Sequence, residues 1–467
     1  MKKTIFLGVV YLLCLLTWNR ALAQQELHNK DKHNLLYYFK NGKWNGHFRN
    51  YLMATDNGRK ELTDYYANAI AADVHYETAQ WKGLHAGFGT SFVYNTASSD
   101  LGKPDAVTGQ FNRYEIGLFD LAKPYQALIG TIDELFISYA WGKSEITWGK
   151  QKLVTPWLNP QDGRMRPNFQ EGLYIDFQEV KNLRIELAWI YRFLVRSTEI
   201  WPTIANSIGQ YPTGVTPDGV RSSYTNNLKS AGLGILGITY AFTPQIKTQF
   251  WNYFTENIFN TMFWQTEAEI PLSKSENKNK LLAGMQFHFQ TALNDGGNSN
   301  PELAYIPKNQ RNWVLSSRVG WKTTQKLLTL NYTRIGNHGR FLFPREWGRD
   351  PFYTFLPRER NEGYGDVNAF MIQLGQNLPK MKTRIEIGYG HYYLPNPDNA
   401  SLNKYGFPSY NQINLNLVHQ CKGLLEGLQA QFLYVYKGKL GETYNNPRFE
   451  FNKVNMSLYN FILNYNF

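Results

Sequence analysis

The sequence predicts an all-β fold, a transmembrane antiparallel β-barrel of about eighteen strands with a constriction loop folded into its lumen. Three observations lead to this prediction: an export signal at the N-terminus, apolar residues that alternate with polar ones, and connections that alternate between short and long. We expect a signal peptide at 1–23, a short periplasmic segment at 24–43 and the barrel at 44–467.

The first residues have the three parts of a secretory signal peptide. Lys2 and Lys3 precede an apolar run, and a small-residue cleavage site follows at 21–23. No later apolar run approaches the ~18 residues of a membrane helix, and the mean hydropathy is −0.46. A helical membrane protein is therefore excluded. A soluble exported protein or a barrel in the outer membrane of a Gram-negative bacterium remains.

Removal of the signal peptide changes the charge and the cysteine content. It deletes Lys2, Lys3 and Arg20, so that the formal net charge falls from +12 to +9 (12 − 3). A positive balance fits nucleic acid, an acidic surface or anionic small solutes, and export argues against nucleic acid. Cys421 is the one cysteine left, which excludes an internal disulfide and a cysteine-based metal site. No cofactor is expected.

Strict alternation of apolar and polar residues recurs along the chain. The last residues, "YNFILNYNF", place aromatic and aliphatic side chains on one strand face and asparagines on the other. The same pattern occurs at 183–193, 283–290 and 412–417. A soluble sheet could bury such an apolar face in a core, but arginine and glutamine on the opposite faces favour a lipid-facing barrel with a wet interior.

The connections indicate the same architecture. Short turns such as "WGKS" at 141–144 and "KTTQ" at 322–325 alternate with long excursions, of which 257–259 is the one unusually short case. Short periplasmic turns and long outer loops are typical of outer-membrane barrels. The long excursions are expected at 96–132, 153–168, 196–229, 293–310, 336–365, 394–409 and 439–452.

Motifs of enzymes are weak or missing. The glycines of "GLGILG" at 232–237 match the spacing of a dinucleotide-binding turn, but they lie within an alternating strand rather than before a helix. The histidines have no metal-ligand spacing, and no Gly-x-Ser-x-Gly elbow occurs. We therefore expect no enzyme activity.

Basic residues on the polar strand faces are the first candidates for a solute pathway. An outward charge near the bilayer midplane costs about 2–4 kcal/mol, so inward placement is expected for Arg184, Arg192, Arg318, Lys382 and Arg384. Such cations raise the local concentration of anions. They could equally brace the wall by salt bridges to inward acids such as Glu186 and Glu386, and both roles remain open.

The segment "TPWLNPQDGRMRPNF" at 155–169 is the candidate constriction loop. Its three prolines restrict the backbone, and Asp162-Gly163 favours a tight turn from which Arg164 and Arg166 project. A surface loop with solvated arginines is the alternative. The arginine-rich connection 336–365 is the other candidate for the constriction.

Residues 148–175, "WGKQKLVTPWLNPQDGRMRPNFQEGLYI", resemble the OprD family of outer-membrane porins. That family has Gly-Lys/Arg-Gln, a proline-containing loop, an Asp-x-Arg-hydrophobic-x-Pro core and Phe-x-Gly at this place. The resemblance implies a passive channel in which a folded-in loop narrows the pore. It also implies that inward cations guide carboxylate-bearing solutes such as amino acids, peptides or organic acids. By this resemblance Asp162, Arg164 and Arg166 belong to the loop, and Arg184 and Arg192 to the row of cations.

Other partners follow from the same prediction. Outer-membrane lipids would surround the barrel, the assembly machinery would recognise the last strand ending in Phe467, and the protein would be a monomer or a trimer. An exported surface β protein that binds or cleaves glycans is the alternative function. A receptor-type transporter is disfavoured because there is no room for a plug domain before the first strand near residue 44.

Overall fold

Eighteen antiparallel strands form one closed ring in the computed structural model, which describes residues 34–160, 164–272 and 279–467. Each strand pairs with its neighbours in the chain, and the first strand also pairs with the last. The predicted fold is therefore confirmed. The predicted signal peptide and the start of segment 24–43 lie outside the described residues.

The strand bounds agree closely with the alternation in the sequence. The strands are β1 (Lys43–Asp56), β2 (Tyr65–Glu77), β3 (Leu84–Ser98), β4 (Leu128–Trp141), β5 (Ser144–Gln151), β6 (Phe169–Phe177), β7 (Leu183–Leu194), β8 (Leu233–Thr243), β9 (Ile246–Thr255), β10 (Phe259–Pro271), β11 (Lys280–Ala292), β12 (Arg311–Lys322), β13 (Lys326–Ile335), β14 (Val367–Leu378), β15 (Thr383–Tyr393), β16 (Tyr410–Gln420), β17 (Leu428–Lys439) and β18 (Met456–Asn466).

In the described part of the chain, two short α-helices accompany the strands. The first, α1 (Leu35–Lys40), is capped by Asn34, whose side chain accepts a hydrogen bond from the backbone N–H of Leu36. The second, α2 (Ile204–Ser207), lies in the connection between β7 and β8. Among the described residues, no helix has the length and apolar character needed to cross a membrane.

The ring closes between β1 and β18 over ten paired positions, from His47–Asn466 to Asp56–Ser457. Just beyond them, Gly46 and Phe467 exchange two backbone hydrogen bonds, of 2.9 and 3.0 Å. A Cβ added at Gly46 would lie 2.2 Å from the Phe467 ring. A side chain at position 46 would therefore displace the Phe467 ring from its place at the seam.

The lumen contains two separate apolar clusters. The larger joins inward residues of the β7–β16 wall, such as Tyr253 and Phe263, to loop residues such as Trp157 and Trp347. The smaller joins the wall around β1 to the β3–β4 connection, whose turn Glu115–Leu118 is fully buried. Several long connections therefore fold into the ring rather than away from it.

Candidate functional site

Residues 152–168, between β5 and β6, form a connection that lies in the lumen and is here called loop A. Its Trp157 is 1% exposed and stacks on Phe343 with ring centroids 4.4 Å apart. The Trp157 backbone N–H donates to the Tyr253 hydroxyl on β9 at 3.3 Å, and its ring meets His288 on β11 edge-on. Loop A therefore reaches the wall several strands away from its own.

The far end of loop A reaches the opposite wall. The Arg49 guanidinium on β1 donates to the Arg164 carbonyl oxygen, and Arg164 Nη1 donates to the Tyr114 carbonyl oxygen at 3.1 Å. In this ring of eighteen strands, β1 and β10 are nine positions apart. Contacts with β9, β11 and β1 therefore mean that loop A spans the lumen.

The two arginines of loop A have different surroundings. Arg166 is buried against β4, where its Nη1 donates to the Thr131 hydroxyl and lies 3.4 Å from Asp133 Oδ1, while its Nε donates to the Arg196 carbonyl oxygen at 2.9 Å. Arg164 instead borders the open cavity described below. The sequence predicted one role for both residues, whereas Arg166 is built into the wall. Asp162 lies outside the described residues.

Residues 336–366, between β13 and β14, form a second lumenal connection, here called loop B. Gln286 on β11 donates to the Pro351 carbonyl oxygen at 2.9 Å, and Gln412 on β16 donates to that of Pro357 at 2.8 Å. Arg358 donates to Asn460 Oδ1 on β18 at 3.0 Å. Loop B therefore also crosses the ring, so that both predicted candidates for the constriction lie in the lumen.

Loops A and B pack into one unit. The Asn159 side chain donates to the Arg349 carbonyl oxygen at 3.0 Å and accepts from the Arg349 backbone N–H at 2.9 Å. Asn168 Nδ2 donates to the Glu346 carbonyl oxygen at 2.8 Å. A Cβ added at Gly348 would lie 2.0 Å from the Trp157 carbonyl oxygen. The close approach of the two loops therefore requires glycine at this position.

A cavity of about 1500 Å³ lies among these connections, on the side of the long loops, and is here called the outer cavity. Among the described residues that line it, eleven are arginine or lysine and one, Glu359, is acidic, a formal excess of ten positive charges (11 − 1). The cations come from six different connections. They are Arg113, Arg164, Arg196, Arg221, Arg345, Arg349, Arg358, Arg360, Lys404, Arg448 and Lys453.

Aromatic rings hold several of these guanidinium groups in place. The Arg345 guanidinium carbon lies 3.8 Å from the Tyr405 ring centroid, and that of Arg113 lies 4.5 Å from the Phe407 ring centroid. Planar guanidinium groups stack well on such faces and keep their N–H donors free for other contacts. The stacking therefore orients guanidinium groups that are also ion-paired, Arg345 with Glu362 and Glu359, and Arg113 with Glu359.

Glu359 is the acidic centre of the cluster. Its carboxylate accepts from Lys437 on β17 at 2.9 Å and from Arg113 at 3.1 Å, and it lies 3.5 Å from Arg345. Burial alone would raise the pKa of Glu359, but the charges of Arg113, Lys437 and Arg345 outweigh it and lower the pKa to about 2. Glu359 therefore remains ionised and fixes loop B to the wall.

Two buried lysines border the same cavity. Lys404 Nζ donates to the Tyr224 hydroxyl at 3.1 Å and lies 4.7 Å from the Tyr305 ring centroid. Burial lowers the pKa of Lys404 to about 7. Burial, with the nearby charge of Arg113, lowers the pKa of Lys453 to about 7 as well.

Three of the cations that were predicted to point inward from the strand wall lie close to acidic residues. Arg184 lies 2.8 Å from Asp176 and 3.2 Å from Glu186, and Arg318 donates to Glu267 at 2.6 Å. The Arg384 Nε lies 3.5 Å from Glu386 Oε1. Of the two roles left open by the sequence, bracing between strands is thus observed for Arg184 and Arg318, whereas Arg384 pairs with an acid of its own strand.

Two of the predicted inward cations lie elsewhere. The β6–β7 pairing shifts register between Glu171 and Gly172, so that Phe193 is buried while Arg192 is exposed and pairs with Glu171. The extra residue reverses the alternation, and the prediction of an inward Arg192 is wrong. The prediction is also wrong for Lys382. This residue is exposed and ends the turn before β15, where its φ is +47°.

The sequence did not single out most of the cations of the outer cavity. The arginine-rich composition of segment 343–366 pointed to part of this set, namely Arg345, Arg349, Arg358 and Arg360. Arg113, Arg196 and Lys404 are isolated basic residues in long connections, where no periodic pattern reports the direction of a side chain. Only the folded connections bring them together.

Comparisons with known proteins agree with this architecture. Residues 139–354 match the model of the OprD family, described as outer membrane porin. The resemblance to the OprD family is confirmed. The residues that match this family include loop A and most of loop B. A search of curated protein sequences found no match for the chain.

Solved OprD-type barrels share the fold at low sequence identity. OccK9 (OpdG) of Pseudomonas aeruginosa superposes with a TM-score of 0.71 at 11% identity, covering 92% of this chain and 99% of that one. OpdK of Pseudomonas aeruginosa, solved with vanillate, gives 0.69 at 11%, covering 92% and 99%. OccAB4 of Acinetobacter baumannii gives 0.68 at 15%, covering 91% and 98%. Together with the family match, this fold indicates an outer-membrane channel rather than an enzyme.

Proposed function

We propose that the protein is a passive, substrate-selective channel for small anionic solutes, chiefly carboxylates such as amino acids, peptides or organic acids. The observation that carries this proposal is the outer cavity, with eleven lining cations and one acid among the described residues. Cationic walls of low dielectric concentrate anions at the entrance of a pore. Carboxylates form strong bidentate hydrogen bonds with arginine.

Loops A and B together form the proposed constriction. An open ring of eighteen strands encloses a wide aqueous channel. Two connections that cross the ring and pack on each other leave solutes a narrower route along their cationic side. Arg164 belongs to this constriction in the proposal, as does Asp162, which lies outside the described residues, while Arg184, Arg318 and Arg384 line the wall beyond it.

Reversal potentials in planar bilayers under a potassium chloride gradient test the proposal. We expect chloride to be more permeant than potassium, and carboxylates to compete with chloride. The variant Arg164→Gln removes a cation that borders the cavity and should reduce the anion preference. A channel that prefers potassium, or a purified protein that does not conduct, would contradict the proposal.

Export and assembly complete the proposed function. We propose that the signal peptide is cleaved after Ala23, and that the assembly machinery of the outer membrane recognises the strand that ends in Phe467. The two hydrogen bonds between Phe467 and Gly46 support the second point, because deletion of Phe467 removes both. Mass spectrometry of the mature N-terminus and the surface level of the truncated chain test these points. A mature protein that begins at Met1, or normal levels without Phe467, would contradict them.

A further inference from the structure

We infer that the outer cavity selects solutes by the number of their negative charges and favours organic anions with two or more carboxylates. This inference rests on the proposed function and specifies its substrate class. It starts from the size of the cavity, about 1500 Å³, which exceeds the ~300–1,000 Å³ of common small-molecule pockets. A single amino acid would leave most of this volume to water.

The positions of the cations favour several charges on one solute. The lining cations belong to six connections that surround the cavity, for example Arg113, Arg221, Lys404 and Arg448. A lone carboxylate reaches the donors of one side. A solute with separated carboxylates can contact cations of two connections at once, so that each added carboxylate gains its own charge-assisted hydrogen bonds.

Neutral side chains between the cations fit the rest of such a solute. Amide and hydroxyl groups line the same cavity, among them Gln110, Gln210, Ser223 and Asn446. The aromatic rings of Tyr211 and Phe355 stack on Arg196 and Arg349 at 5.3 Å each, which keeps these guanidinium groups oriented. The cavity thus combines fixed cations with neutral hydrogen-bonding groups.

A series of solutes on one carbon skeleton isolates the effect of charge number. Butyrate, glutarate and tricarballylate place one, two and three carboxylates on a propane chain. Each is added on the loop side of single channels, and the concentration that halves the chloride current is measured. We expect this concentration to fall by about tenfold with each added carboxylate.

Two exposed lining residues allow a test in a folded protein. Arg221 and Arg448 belong to different connections and are exposed, so that Arg221→Gln/Arg448→Gln should leave the barrel intact. This variant should lessen the advantage of tricarballylate over butyrate. The matched control Lys229→Gln/Arg311→Gln removes two exposed outer-end cations that do not line the cavity, and it should keep the full advantage.

The outcomes separate this inference from the proposed function. Equal half-blocking concentrations for the three solutes in an anion-selective channel would overturn the inference alone. An equal loss of the advantage in the control variant would overturn the assignment to the outer cavity. A channel that prefers potassium would instead refute the proposed function itself.

Discussion

The outer cavity and the strand wall below it use the same residue types but differ in charge balance. Among the described residues, five wall cations lie within ion-pair distance of five acids that are also on the wall: Arg184, Arg318, Arg384, Lys280 and Lys322 pair with Asp176, Glu186, Glu267, Glu269 and Glu386. These formal charges cancel (5 − 5 = 0). The described lining of the outer cavity instead has an excess of ten positive charges.

This difference has a physical origin. Strand positions repeat at fixed spacing, so that an inward cation has inward neighbours on its own and on nearby strands, and acids at such positions stabilise Arg184 and Arg318. Connections have no such register and can bring cations together from distant parts of the sequence. The wall therefore braces the ring, and the connections set the charge that a solute meets first.

The largest expected effect follows from Trp157, which packs loop A against loop B. Trp157→Ala removes a fully buried indole and should destabilise the packing of the loops by about 3–5 kcal/mol. We expect single-channel conductance to rise clearly, because the two loops no longer hold each other across the ring. The matched control is Trp148→Ala, which removes a tryptophan on β5 that is 58% exposed. Equal conductance in both variants would contradict this role of Trp157.

Arg166 tests whether loop A is anchored to the wall by charge. Arg166→Met leaves Asp133 buried without its cation, which costs about 3–5 kcal/mol for a buried pair. We expect the temperature of heat-induced unfolding, followed by gel mobility in detergent, to fall. The double variant Arg166→Met/Asp133→Leu should regain part of the lost unfolding temperature. Arg164→Met, by contrast, should alter selectivity more than stability.

A smaller effect should come from pH. Because burial lowers the pKa of Lys404 and of Lys453 to about 7, both side chains lose their charge as the pH rises from 6 to 8. The charge excess of the outer cavity then falls from ten to eight (10 − 2). We expect the anion preference in reversal-potential measurements to decrease over this range.

The groups around the two lysines define the control. Those that act on the pKa of Lys404 are Glu362, Arg340, Glu346 and Arg345, and those that act on Lys453 are Arg113 and Glu359. The variant Lys404→Met/Lys453→Met retains these groups and removes both titrating amines. Its anion preference should be lower at pH 6 and nearly constant to pH 8. A decrease as steep as in the native protein would refute the assignment.

The smallest effect is expected on the wall. Arg384→Gln/Glu386→Gln removes one cation and one acid that lie 3.5 Å apart, so that the net charge of the lumen does not change. We expect the reversal potential to remain that of the native channel. A shift as large as that of Arg164→Gln would mean that individual wall charges, and not the outer cavity, govern selectivity.

The fold was largely readable from the sequence because strand alternation reports both the element and its face. The eighteen strands and the direction of Arg184, Arg318 and Arg384 follow from that period of two. Arg192 escaped the prediction because one extra residue in β7 opposite Glu171–Gly172 reverses the period, and no composition signal marks such a bulge.

The candidate site was only partly readable. The prolines and arginines of loop A marked it as a candidate. The sequence did not show that Arg166 would be buried in the wall while Arg164 borders the cavity, because this difference depends on Asp133, which is distant in sequence. The outer cavity depends on contacts between connections, such as Arg113 with Glu359, 246 positions apart. Single-sequence patterns contain no information on such pairings.

The packing of loop A also bears on the order of assembly. Trp157 packs against Phe343 and Phe352, and Arg49 binds the Arg164 backbone across the ring, so that these contacts require parts of the chain more than a hundred residues apart. Such distant contacts form slowly, and they need both walls in place. We therefore expect a newly inserted barrel to pass through a wide, leaky stage. The permeability of the cell envelope would then depend on how quickly the loops settle after the strands have closed.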